Sequence, residues 1–189
     1  MSLTAGFALC GSFCTIDRVL AVMERMAKDG WDLIPIVSPP IGTMDTRFGT
    51  AQDTLDQITH ICGRKPMTTL QEVEPIGPKA LLDVLIIAPC TGSTLARLAN
   101  GLSDTPVTLA AKSQLRVERP VVLAVSSNDA LAASAPNIAA LLNRKNYYFV
   151  SMRQDAPHTK PRSLVAVMEN IPETAKAAVQ GKQAQPIFL

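Results

Sequence analysis

Three stretches of this chain switch from branched aliphatic residues to small hydroxylated ones within a few positions. TAGFAL (4–9) leads to Gly11 and Ser12, and WDLIPIV (31–37) leads to Ser38-Pro39-Pro40. LDVLIIA (82–88) leads to Pro89-Cys90-Thr91-Gly92-Ser93-Thr94. Each switch offers hydroxyl donors and main-chain N–H groups uncovered by bulky side chains. The first and third run straight into helical sequence, and a helix N-terminus carries unsatisfied donors and partial positive charge. Such a set can hold a phosphate without a lysine. The local explanation is that Ser and Thr are the favoured N-caps of any helix. Three breaks at one sheet edge favour a ligand over three coincident caps.

The type of phosphate ligand is narrowed by what is missing. There is no GxxxxGK[ST] loop, and GxGxxG fails because Gly11 is followed by Ser12 and the bulky Phe13. The second strand ends in Ser38, where an NAD site usually places an acid for the ribose hydroxyls. A mononucleotide with a flat ring fits better, which points to flavin mononucleotide (FMN). Gly11, Ser38 and Thr94 are then expected to face a common cavity. No catalytic residue can be assigned. His60 has no visible orienting partner, and Cys90 has no neighbouring cation to make it a nucleophile. His60 and His158 lie far apart without a Cys or acid cluster, so no metal is expected.

The elements that must position these residues alternate. A helical stripe at Ile16, Val19, Leu20, Met23 and Met26 ends at Gly30. Pro35 is compatible with the second strand only if its N–H side is unpaired. Residues 38–50 read as a loop and 51–62 as a helix. After the strand at 82–88 come helices at about 91–100 and 106–114 and a strand at 119–126, which presents Ser126, Ser127 and Asn128 at its end. A helix at 129–143, a strand at 146–150, a loop at 151–163 and a last helix at about 162–179 complete the chain. This alternation predicts one α/β domain over 1–189, a three-layer Rossmann-like sandwich around a parallel sheet. Ligands in such sheets bind outside the carboxyl ends of the strands.

Bulk composition sets outer limits. The net charge of +2 is too small to argue for nucleic acid. With aromatic residues at only 4%, the core must be packed by Ala, Val, Leu and Ile. No apolar run reaches the roughly 18–20 residues needed to cross a bilayer. The four cysteines contain no CxxC pair and read as free thiols. A cytosolic protein is the expectation.

Five stretches carry a family resemblance: GFALCGSFCT, SPPIGTMDTRFG, LIIAPCTGSTLARLANGLSDTPV, RPVVLAVSSNDAL and NYYFVSMRQDAPHTKPRSLVA. Together they resemble the flavoprotein superfamily of homo-oligomeric flavin-containing cysteine decarboxylases. APxTxxTxAxxANGxxD, here Ala88 to Asp104, is its most specific motif. DTRFG and QDAPHTKPRS point to the branch formed by the B-type chains of dipicolinate synthase. The resemblance implies FMN held by Gly11, Ser12, Ser38, Thr91, Gly92, Ser93 and Thr94, with Ser126, Ser127 and Asn128 near the ring. It further implies a homotrimer or a multiple of one, and a partner, the A-type chain of dipicolinate synthase, that carries NAD(P). The expected setting is the cytoplasm of a sporulating mother cell. The substrate would be a planar dicarboxylate precursor of dipicolinate, gripped by some of Arg47, Arg153, Lys160 and Arg162, because guanidinium forks match carboxylates. The chain departs from the decarboxylases at AVSSNDALAASAPN, where their PxMNxxMW signature would stand. Decarboxylation and a non-catalytic scaffold role remain the alternatives.

Overall fold

A computed structural model describes residues 3–189. Its elements, in chain order, are β1 (Thr4–Leu9), α1 (Ile16–Lys28), β2 (Asp32–Val37), α2 (Pro39–Thr43), α3 (Ala51–Cys62) and α4 (Leu70–Val73). Then come β3 (Val84–Cys90), α5 (Gly92–Ala99), α6 (Pro106–Arg116), β4 (Val121–Ser127) and α7 (Ala135–Leu142). β5 (Tyr147–Phe149), β6 (Met152–Arg153), β7 (Leu164–Ala166) and α8 (Ile171–Val179) complete the order. Seven strands form one sheet in the order β2-β1-β3-β4-β7-β6, with β5 also paired to β4. β2, β1, β3, β4 and β5 are parallel; β7 and β6 are antiparallel additions at the end of β4.

Alternation along each strand divides the core between two faces. Phe7, Leu9, Ile86, Val122 and Ala124 meet α1, α3 and α8 on one side. Ala8, Leu85, Ile87, Leu123 and Val125 meet α5, α6 and α7 on the other. The stripe foreseen on α1 is buried as expected, with Val22 added. Pro35 is accommodated because β2 is the outer strand. Its carbonyl and ring nitrogen face Met67, whose N–H donates to the Pro35 carbonyl at 2.9 Å, so no donor is missed on the β1 side.

Four local readings are corrected. The loop at 38–50 contains the short helix α2. The helix expected from 129 begins only at Ala135; short polar side chains around Asp129 bond to one another and hold 129–134 in turns. The loop at 151–163 opens with β6. The final helix begins at Ile171, because Leu164–Ala166 pairs as a strand with Ser126 and Ser127.

Candidate functional site

The carboxyl ends of β1, β2, β3 and β4 touch one another through the segment Cys10-Gly11-Ser12. The Ser12 and Ser126 hydroxyls lie 2.9 Å apart, which ties the end of β1 to the end of β4. Thr94 Oγ1 donates to Cys10 Sγ at 3.3 Å, which ties β1 to the first turn of α5. Toward β2, a Cβ on Gly11 would stand 3.1 Å from Pro40 Cβ, so a side chain there would crowd the junction. The Ser38 N–H donates to the Leu9 carbonyl at 2.9 Å.

Capping explains only part of this hydroxyl chemistry. Thr91 is a true N-cap, accepting from the Thr94 N–H at 3.3 Å. Ser12 precedes a 3₁₀ turn (Phe13–Thr15) without capping it; its hydroxyl turns to Ser126 instead. Ser38 precedes α2 without capping it either, and its buried Oγ has no hydrogen-bond partner. A buried hydroxyl left unpaired costs about 1–3 kcal/mol, so such a group is where an absent partner is expected.

The bulge in β3 aims this region. Against β4 its register passes from Ile87↔Leu123 to Cys90↔Val125, one residue longer on β3, across a Pro89 that cannot donate to the ladder. Downstream, Asn100 Nδ2 donates to the Ala96 carbonyl at 2.8 Å and Gly101 adopts φ +71°. Arg97 Nε bonds Asp104 at 3.1 Å. The A-N-G-x-x-D part of the motif is thus a helix stop that pins Arg97.

Beside α5 opens a pocket of about 410 Å³ lined by Thr91, Gly92, Ser93, Ala96, Ser127, Asp129, Ala133, Ser134 and Asn137. The expectation that Gly11, Ser38 and Thr94 face a common cavity is not met at this pocket: none of the three lines it, and Ser38 and Thr94 are buried in the packing of the strand ends. Thr91, Gly92 and Ser93 therefore face this pocket, whereas Gly11, Ser12, Ser38, Thr94 and Ser126 form a junction next to it. Asn128 is exposed on the turn after β4.

Asp129 is the residue that sequence reasoning missed. Its Oδ1 accepts from the Ser127 hydroxyl and, at 2.8 Å, from the Ser134 hydroxyl. These two bonds, Ser127 first, hold its carboxyl below the ordinary Asp range. The signal present was an acid directly after a strand end, but its hydroxyl partners become visible only when the turn closes.

Cys10 and Cys90 stay protonated at neutral pH. Burial raises Cys10 to about 11, against weaker opposition from the Thr94 hydroxyl, and lifts Cys90 well above the ordinary range. His60 lies toward the far end of the sheet: Arg64, just beyond α3, pairs at 2.6 Å with Asp32, the first residue of β2. Among the described residues, no group of three or more His, Cys, Asp and Glu could hold a metal ion, and no helix is long and apolar enough to cross a membrane.

The four basic residues occupy two places. Arg47 follows the outer strand β2 and stacks on Phe48, 4.8 Å from the ring centre. Arg153, Lys160 and Arg162 belong to a tongue spanning β6 to β7, at the other end of the strand order. There Lys160 Nζ pairs with Asp155 at 3.1 Å, and the Arg162 carbonyl accepts from the Leu131 N–H at 2.9 Å. His158 lies exposed on the same tongue.

The model of the family described as Flavoprotein matches residues 4–180. The chain is 39% identical over 184 residues to the B-type chain of dipicolinate synthase from Bacillus subtilis (strain 168), covering 97% of this chain and 92% of that protein. The crystal structure of the corresponding B-type chain from Bacillus halodurans C superposes with a TM-score of 0.91 at 41% identity, covering 100% and 98% of the two chains. The FMN-dependent cysteine decarboxylase SpaF shares the fold, with a TM-score of 0.68 at 22% identity over 95% of this chain and 97% of its own. With a mostly parallel sheet covered by helices and this extent of similarity, the chain belongs to the flavoprotein family.

Proposed function

We propose that this chain is the FMN-binding component of a dipicolinate synthase and works with a nicotinamide-binding partner, the A-type chain of that enzyme. Together they would oxidise a cyclic dihydro- or hydroxytetrahydrodipicolinate precursor to dipicolinate. The observation that carries the reading is the strand-end junction, where the Ser12 and Ser38 hydroxyls cap no helix and Ser38 Oγ is buried without a partner. The high similarity to two B-type chains of dipicolinate synthase supports the substrate class.

The junction fits FMN in chemistry through its hydroxyls, with no carboxylate among its residues; the Ser12, Ser38 and Thr94 N–H groups already donate within the chain. Gly11, Ser12, Ser38 and Thr94 would hold the phosphate. Thr91, Gly92 and Ser93 would follow the ribityl chain, and Ser126 and Asn128 would approach the ring. When bound, the flavin supplies a two-electron acceptor for ring aromatisation. The chain's own share is positioning, exclusion of water and recognition of the two carboxylates. Arg153, Lys160 and Arg162 on the tongue would bind one end of the dicarboxylate. Arg47 would reach it from a neighbouring copy in a homotrimer or a multiple of one. We place this activity in the cytoplasm of a sporulating mother cell.

The test is an absorbance scan of the purified chain before and after addition of FMN. The visible bands of bound oxidised flavin are the expected result. A colourless protein that takes up no FMN would overturn the reading and leave a scaffold for the nicotinamide-binding partner.

A further inference from the structure

The pocket beside α5 differs chemically from the junction next to it, because its single ionisable lining residue is Asp129. Both hydroxyls that reach this side chain, from Ser127 and Ser134, converge on Oδ1. Among the described residues, no side chain donates to Oδ2. Gly92 keeps the arrangement in place. A Cβ there would stand 2.7 Å from Ser134 Oγ, 2.9 Å from Ser127 Oγ and 3.1 Å from Asp129 Oδ1. The carboxylate is therefore oriented by two bonds on one oxygen, leaving the other without a side-chain partner.

We propose that Asp129 is a specificity-determining acceptor for a ring N–H of the ligand in this pocket, and that it excludes anionic groups from that end. An ionised carboxylate only accepts hydrogen bonds. The lining holds no cation to neutralise a phosphate or a second carboxylate, and like charges at such distances repel. The Ser127 and Ser134 bonds also keep the group ionised at neutral pH. The ligand is thereby given a direction: anionic tail at Gly11, Ser12 and Ser38, N–H-bearing ring at Asp129. This inference rests on the proposed function. The ring N–H that meets this chemistry is the imide of the flavin; the cyclic precursor does not meet it, because its ring nitrogen lies between two carboxylates that Asp129 would repel.

The experiment uses Asp129→Asn in the full chain. The Asn oxygen still accepts from both serines, while its nitrogen can only donate. In one arm, FMN and N3-methyl FMN are titrated into wild type and variant by flavin fluorescence. If the flavin is the donor, wild type prefers FMN at least tenfold and the variant loses that preference. The wild-type comparison alone remains decisive if the variant does not fold. In the other arm, KM for the cyclic precursor is measured with the nicotinamide-binding partner present. A KM that rises at least tenfold in the variant while the preference for FMN over N3-methyl FMN is kept would place Asp129 against the substrate and overturn the assignment. FMN binding by wild type without a preference over N3-methyl FMN overturns the assignment alone. A wild-type chain that binds no FMN overturns the functional reading and the assignment with it.

Discussion

β4 ends in two regions built on opposite terms. Toward β1 and β3 lies a junction of small residues without a formal charge, where Ser12 reaches Ser126, Thr94 reaches Cys10, and the buried Ser38 follows β2. On the other side, β7 continues from Ser126 and Ser127 into a tongue whose Arg153, Lys160 and Arg162 are exposed. The junction is held by the sheet beneath it, so its donors are fixed before any ligand arrives. The tongue is held by few bonds outside its own segment, including Leu131 to Arg162, and its charges remain solvated. Fixed neutral donors suit a resident cofactor, and solvated cations on a short hairpin suit a substrate that comes and goes.

If the junction depends on the sheet, removing support should be felt strongly. Phe7 is fully buried beneath it, and Phe7→Ala is expected to cost about 3–5 kcal/mol in urea unfolding. Alkaline pH probes the junction next. Burial raises Cys10 from 9.0 to about 11, so between those values the unfolded chain releases this proton first and stability falls as pH rises. The loss should approach about 2–3 kcal/mol, and Cys10→Ala should flatten the slope of stability against pH. Gly92→Ala should cost about 1–3 kcal/mol, since the added carbon meets Ser134 and Ser127 and loosens Asp129. The tongue should give the smallest effect. Arg153→Ala is expected to stay within about 0.5 kcal/mol in unfolding while raising KM for the dicarboxylate. A large loss of stability there would erase the distinction between the two regions.

How far the sequence revealed each region follows from how local its causes are. The bounds of α1 and α3 were readable because their apolar spacing is strong and Gly30, at positive φ, marks the end of α1. The sheet class followed from strand–helix alternation. β7 was not readable, because LVAV suits a strand or a helix equally and only the free edge of β4 decides. At the site, the hydroxyl-rich breaks stood out by composition. That Thr91 caps its helix while Ser12 and Ser38 do not is a matter of side-chain direction, which spacing does not carry. Asp129 stayed hidden because Gly92, Ser127 and Ser134 become its neighbours only in the folded chain.

The most direct test compares FMN with riboflavin, which lacks only the phosphate, on wild type and Ser38→Ala. Wild type should bind FMN at least tenfold more tightly, and the variant should lose most of that preference. Its own stability should hold or rise by up to about 1 kcal/mol, because an unpaired buried hydroxyl is removed. Equal affinity of wild type for the two flavins would contradict a phosphate cradle at these strand ends.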